Sequence, residues 1–374
     1  MKKDIEGVVV SDIHLGHSRT PTPFIIDNLN KHITNDAVFS SIDLIVFAGD
    51  VFDTLLDFAD DDSHDIKRWI AHTLKLAFKH GVAVIVLEGT PSHDRKQSSV
   101  FVTINDINAQ AGFCPAELYY VDTLSVLHLE HLGISALMVP DEWGPTTADT
   151  LDQVQALLAN EGLERVDFSF MHGMFEYQMD YEGVSTHNAQ AYLDLTQHLI
   201  FIGHVHTYSS FQRIFAQGSF DRLIHGEEGP KGFLRFKLNR AGDYEVKFIE
   251  NTTAAIYKTI ECAEDTIADN LLLIEKEIKG LPNTARVRIL ASKASALLAN
   301  QSIIKEKWPH ITWSIEAMDK AVKKVAALID HKKKYVPIQL NRQNLAQVMR
   351  ARLVMLNIEP DTIDRCDLRL NEVM

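Results

Sequence analysis

The chain has 374 residues, 46% of them hydrophobic and 24% charged, and carries a net charge of −14. That length allows two or three domains with large buried cores, and the acidity excludes the broad basic footprint of an autonomous DNA-binding protein. Cys114, Cys262 and Cys366 lie far apart and form no CxxC pair, which excludes a thiolate metal site and suggests a reducing compartment.

The first apolar run, V-V-V-S-D-I-H, is short and β-branched; it reads as a buried strand whose polar tip carries Asp12 and His14. The second, I-V-F-A-G-D-V-F-D, ends on Asp50 and Asp53. A helix is predicted over 65–80, with Ile66, Trp69, Ile70, Leu74 and Ala77 on one face and Gly81 as its stop. Asp60, Asp61 and Asp62 before it read as a solvated loop. V-I-V-L-E-G-T-P-S-H-D ends on His93 and Asp94, F-S-F-M-H-G on His172, and I-F-I-G-H-V-H on His204 and His206. Residues 124–129 with 134–139, and 232–238 with 244–249, read as hairpins. Hairpins mixed with strand–helix units predict an α/β arrangement over 1–255, with two sheets packed face to face and helices outside.

A second unit spans 256–318. Strands at 257–262, 285–290 and 311–315 alternate with helices at 264–279 and 294–307, giving a small β-α-β-α-β domain. Residues 319–374 contain a basic run at 331–334 and a helix over 340–357 with Leu345, Val348, Met349, Leu353 and Leu356 as an apolar stripe. The acidity is uneven: residues 1–250 hold 18 Lys and Arg against 36 Asp and Glu, and residues 251–374 hold 19 against 15. No apolar signal stretch or membrane-length run is present, so a soluble cytoplasmic chain with no membrane contact is expected.

The strand tips carry the mixed oxygen and nitrogen donors that hard and borderline cations need from preorganised positions. Two divalent ions about 3.5–4 Å apart need a bridging ligand, because bare dications repel. Asp50, in A-G-D, is placed for that bridge, and Gly49 permits close backbone approach. Asp12 and His14, two residues apart, could turn to the same ion. His204 and His206 share that spacing and could reach one ion each, and His172 supplies a further nitrogen. A water shared by such ions is acidic near neutral pH and suits attack on phosphorus. His93 has no evident metal partner; it could pass a proton to a leaving oxygen or steady charge on phosphate, with Asp94 orienting its ring. Taken singly, each histidine is more often a hydrogen-bonded structural residue than a ligand. Five strand-end motifs together carry the chemistry. Asp53 reads as an acid that supports a ligand. His17 reads as a loop residue, with substrate contact as the weaker reading. His187, His198 and His225 belong to no motif.

The series D-I-H, G-D-V-F-D, S-H-D, M-H-G and G-H-V-H resembles the calcineurin-like metallophosphoesterase superfamily. G-S-F-D-R-L-I-H-G-E-E-G-P-K-G-F at 218–233 narrows the resemblance to SbcD-type DNA exonuclease subunits, and G-T-P-S-H-D looks most like the phage recombination type. The resemblance implies a four-layer sandwich of two mixed sheets flanked by helices over 1–255. It also implies a capping, DNA-binding domain over 256–318 and C-terminal helices over 319–374 that grip an SbcC-type ATPase. The implied activity is hydrolysis of DNA phosphodiester bonds, exonucleolytic and on single strands, in recombination, repair or degradation, by a chain that commonly forms a homodimer. The implied site places Asp12, His14, Asp50 and His206 on one ion and Asp50, His172 and His204 on the other. The ions are Mn2+ or, in its place, Mg2+, and His93 is the catalytic histidine.

This chain departs from the family's G-N-H-D, whose Asn binds the second ion. Here Gly89 is followed by Thr90, Pro91, Ser92, His93 and Asp94. Ser92, directly before the histidine, could substitute, as could Thr90 or a backbone carbonyl. A neutral hydroxyl is a weaker ligand than an amide carbonyl, so the second ion is expected to bind less tightly. The same metal core would serve a phosphomonoesterase or a cyclic-nucleotide phosphodiesterase, and loss of ligands would leave a non-catalytic scaffold. The small-substrate reading leaves the extra domain and helices unexplained, and against the scaffold nearly all the ligands survive here.

Overall fold

The computed structural model describes residues 4–57, 59–112, 115–178, 185–263, 266–292 and 295–318. The readings made for 319–374, including the partner-binding helix, lie outside the described residues.

Short β-branched runs bury on both faces when helices cover a parallel sheet, and the first three runs do so. β1 (Ile5–Val10), β2 (Leu44–Ala48) and β3 (Ala83–Leu87) are parallel neighbours. β4 (Leu118–Val121) extends them beyond β3, also parallel. The hairpin of β11 (Gly232–Leu238) and β12 (Tyr244–Glu250) adds to β1 antiparallel. The result is a six-stranded mixed sheet in the order β12-β11-β1-β2-β3-β4.

The second sheet, also six-stranded and mixed, has the order β5-β6-β7-β8-β10-β9. β5 (Ser125–Leu129) and β6 (Ile134–Val139) form the expected hairpin. β7 (Val166–His172) and β8 (Thr196–Gly203) run parallel to β6 and to each other, followed by β9 (Ser209–Phe211) and β10 (Ile214–Ala216).

The period-2 alternation of a strand divides the core into layers. Val9, Val46, Ile85 and Leu87 of the first sheet pack against Phe168, Phe170 and Phe201 of the second. Val10, Phe47 and Val84 point the other way, onto α1 (Thr22–His32), α3 (Asp61–His80) and α4 (Val100–Gln110), which with the short α2 (Asp36–Phe39) cover the first sheet. Leu137, Met171 and Ile202 face α5 (Thr147–Asn160) and α6 (Ala189–Leu195) on the far side of the second. The chain is therefore α/β, with two large mixed sheets face to face and helices on their outer faces. Trp69, buried between α3 and the sheet beside Phe47 and Phe101, stabilises that layer by about 2–3 kcal/mol.

Two local expectations are corrected. The long helix begins at Asp61, not 65, because acids in a first turn complement the helix dipole. Asp62 also accepts a 2.7 Å bond from Thr22 Oγ1, so these acids are a helix start, not a solvated loop. The helix expected over 294–307 is broken at Asn300 (φ −122°, ψ 41°) into α8 (Ala296–Ala299) and α9 (Gln301–Lys307). There the Asn300 amide donates to Ala296 O at 2.8 Å, the local competition that makes Asn a poor helix-interior residue.

β13 (Tyr257–Cys262), β14 (Arg286–Ala291) and β15 (Thr312–Ala317) form a parallel three-stranded sheet with β14 central. With α7 (Ile267–Ile278), α8 and α9 it buries a core of its own around Ile274, Val287, Ile289 and Ile304. Thr259 Oγ1 on β13 donates to Glu228 at 2.5 Å, and Thr20 Oγ1 lies 3.0 Å from the Tyr257 hydroxyl. No helix of the described residues is long and apolar enough to cross a membrane.

Candidate metal centre

β1, β2 and β3 are parallel, as are β6, β7 and β8, and the two sheets bring the carboxyl ends of both sets to a common rim. Asp12 N donates to Gly49 O (3.1 Å), and His204 N donates to both Asp12 carboxylate oxygens (3.0 and 3.1 Å). The tips of β1, β2 and β8 are thus stitched together. The bends there are sharp: Asp12, His14, Asp50 and His204 all have positive φ (51°, 54°, 49° and 99°). For residues with a side chain this conformation costs on the order of 1–3 kcal/mol each and persists where surrounding structure enforces it. Gly49 (φ +89°) makes one approach possible, since a Cβ there would lie 2.1 Å from His172 Nδ1.

Three imidazoles share one arrangement. His14 Nδ1 lies 3.1 Å from Asp53 Oδ1, His206 Nδ1 lies 2.6 Å from Glu227 Oε1, and His172 Nδ1 lies 2.8 Å from Ala48 O. Those oxygens only accept, so each Nδ1 carries a proton, and Nε2 is the atom left to take either a second proton or a metal ion. His14 Nε2 and His206 Nε2 face one another at 3.1 Å, with Asp12 Oδ1 3.6 Å from the second. At that distance the two nitrogens share either a proton, as an N–H···N bond, or a metal ion. Ligands about 2.1 Å from one ion at near right angles are about 3 Å apart. His172 Nε2 is fully buried without a hydrogen-bond partner, 3.4 Å from Asp50 Oδ2 and 3.9 Å from Asp12 Oδ1.

Asp12, His14 and His206 form one cluster that could hold a metal ion, and Asp50, His172 and His204 another. His14, Asp50 and His93 lie equally close together. Asp12, His14, Asp50 and His172 are buried. Burial opposes charge on His172, but the carboxylates of Asp50, Asp12 and Asp141 outweigh it and hold its pKa well above the usual value. Burial likewise opposes ionisation of Asp50, and His172 and His14 reverse this and keep it ionised. A field that favours a proton on a buried imidazole also favours a dication among the same oxygens.

Asp53 contacts His14, the place where an acid supporting that imidazole would stand. It also orients His93: the Asp53 backbone carbonyl accepts from His93 Nδ1 at 2.7 Å. The expectation that Asp94 aims His93 is therefore corrected. Asp94 is wholly buried and accepts from the backbone N–H groups of Asp50 (3.0 Å), Phe52 (2.8 Å) and Gly89 (2.7 Å). It folds the β2 and β3 tips onto each other. Burial and the Asp50 charge push its carboxyl up to about 8. His17 Nδ1 accepts from the N–H groups of Arg19 (3.3 Å) and Thr20 (3.1 Å), which closes its own loop.

Ser92 is exposed on the insertion, so the expectation that it fills the missing Asn position is also corrected. Thr90, directly after Gly89, points inward. Its N–H donates to Asp50 Oδ1 (2.6 Å), and its hydroxyl lies 3.2 Å from Asp50 Oδ2, 3.0 Å from Asp141 Oδ2 and 3.3 Å from His204 Nδ1.

Three neighbours of these clusters escaped the sequence reading. Asp141 follows β6 in L-M-V-P-D-E, an apolar run ending on an acid, the same signal as the other tips. Glu227 and the buried Lys231 lie within the 218–233 segment. Lys231 Nζ donates to His206 O at 2.6 Å and lies 3.6 Å from Glu227. His187, Phe175 and Tyr192 pack edge to face, a structural cluster in which burial lowers the His187 pKa to about 4.

No family model matches this chain, and no curated protein matches it. Among solved structures, one chain is matched over 66% of this chain and 100% of its own, at 11% identity and a TM-score of 0.35. That likeness is too low to carry an inference about fold or activity.

Proposed function

We propose that this chain is a metal-dependent phosphodiesterase of the calcineurin-like type, and that it acts on DNA as an SbcD-type nuclease subunit beside an ATPase partner. The observation that carries the reading is the shared state of three imidazoles. His14, His172 and His206 each have Nδ1 occupied by an acceptor and Nε2 aimed at Asp12 or Asp50. A structural histidine at the end of a strand has no need of that arrangement; a ligand does.

In this reading Asp12, His14, Asp50 and His206 would hold one divalent ion, and Asp50, His172 and His204 would hold a second. Mn2+ or Mg2+ fits the mixed oxygen and imidazole donors. When bound, the ions supply Lewis acidity at phosphate and acidify the attacking water. The chain's own residues do the rest. Glu227 and Asp53 fix the tautomers of His206 and His14. Asp53 O holds His93 with Nε2 free, beside the edge of His14 (ring centroids 4.9 Å apart). There His93 can hold a proton for the leaving oxygen. Burial of the ligands keeps bulk water from screening the site.

DNA is favoured over a small phosphate ester by the 256–318 domain, which is tied to the segment that carries Glu227 through Glu228 and Thr259. The acidity of residues 1–250 supports a need for a partner to hold DNA. The test is end-labelled duplex DNA with Mn2+, with and without the ATPase partner, and a His93→Ala control. Metal-dependent shortening of the duplex, lost in the control, is expected. Turnover of small phosphomonoesters with DNA left intact contradicts the DNA assignment.

A further inference from the structure

We infer that Asp141 is a ligand of the second ion and, with Thr90, replaces the asparagine that the G-T-P-S-H-D loop lacks. This rests on the two-ion reading above and concerns one side of that site.

The geometry starts from topology. β6 is the parallel neighbour of β7, so the residues after Val139 emerge beside His172. Asp141 reaches the rim from there, at an enforced bend: Glu142, next in the chain, has φ 48°. Its Oδ1 accepts from Glu142 N at 2.9 Å and fixes the carboxylate. Its Oδ2 is left 3.0 Å from Thr90 Oγ1 and 3.4 Å from His204 Nδ1. Asp141 is mostly buried, its side chain only 11% exposed.

The Thr90 hydroxyl has one proton; His204 Nδ1 lies 3.3 Å away, and two carboxylate acceptors compete for that proton, Asp50 Oδ2 (3.2 Å) and Asp141 Oδ2 (3.0 Å). It can satisfy one of them. Neighbouring ligands of one cation stand about 3 Å apart, and Asp141 Oδ2 keeps close to that spacing from Thr90 and His204, at the edge of the Asp50, His172 and His204 cluster. The unpartnered Nε2 of His172 lies 3.4 Å from the same Asp50 oxygen. The alternative is that Asp141 only ties Thr90 and His204 into the loop. A carboxylate ligand adds a full negative charge to the second ion's shell, where the family's amide adds none. The loss of the asparagine therefore need not weaken that ion, contrary to the expectation from Ser92.

The test is calorimetric titration with Mn2+ together with low-temperature electron paramagnetic resonance of the full chain, in wild type, Asp141→Ala and Asp141→Asn. Removing a supporting residue of a metal site costs about 10–100-fold in affinity. Loss of a ligand should therefore lower the affinity of one of two Mn2+ sites by about 100-fold or more, and replace the spin-coupled pair signal with that of an isolated ion. Asp141→Asn retains the bond to Glu142 N and guards against a folding defect; it should lose less affinity than Asp141→Ala. Two ions bound with unchanged affinity and coupling in Asp141→Ala overturn this assignment while leaving the two-ion reading intact. Failure of the wild type to bind Mn2+ overturns both.

Discussion

Gly49→Ala should be among the most destabilising alanine substitutions in the chain. Gly49 has φ +89°, where an alanine pays roughly 1–2 kcal/mol. The new Cβ would stand 2.1 Å from His172 Nδ1, so the ring must leave Ala48 O, its acceptor at 2.8 Å. A buried donor left unpaired costs roughly a further 1–3 kcal/mol, for a total near 2–5 kcal/mol. Gly81→Ala is the control. Gly81 ends α3 at φ +68°, and a Cβ there meets nothing within 4 Å; only the conformational cost of about 1–2 kcal/mol applies. Urea unfolding with unchanged slope reads both. If Gly49→Ala is no worse than Gly81→Ala, the close packing of the β2 tip on His172 is wrong.

Asp53→Asn removes the charge that fixes His14 and should weaken one Mn2+ site about 10–100-fold by calorimetry; unchanged affinity would sink the supporting role. His93→Gln should lower turnover of a chromogenic phosphodiester about 100- to 10,000-fold with Mn2+ affinity unchanged. A fall in affinity would instead make His93 a ligand, as its closeness to His14 and Asp50 permits. Lys79 and His80 bond to Asp36 (2.5 and 2.7 Å) and lower its pKa to about 2. A depressed acid stabilises above its unfolded pKa and loses that contribution as pH falls through the folded one. The stability difference between wild type and Asp36→Asn should therefore be larger at about pH 4 and shrink towards pH 2; a difference that does not change over that window would contradict the pairing.

Much of this was legible because candidate ligands at strand ends leave a pattern: a short apolar run, then an acid or histidine. Asp12, His14, Asp50, His172, His204 and His206 were found that way, and the structure gathers all six. Asp141 carries the same signal but sat in a run already read as half of a hairpin. Sequence does not reveal that β6 also runs parallel to β7 and so delivers its tip to the same rim. Ser92 and Asp94 were misplaced for a related reason. Adjacency to His93 along the chain says little about direction in a tight loop, where Asp94 turns in to three backbone N–H groups and Ser92 turns out to water. The two face-to-face sheets followed from hairpins mixed with strand–helix units, whereas the break at Asn300 depended on one side chain competing for a helix carbonyl.

The most direct measurement is anomalous diffraction from crystals grown with Mn2+. Two peaks about 3.5–4 Å apart on either side of Asp50, one against Asp12, His14 and His206 and one against His172 and His204, are expected. No peak at this rim, or peaks on other faces of the molecule, would contradict the account.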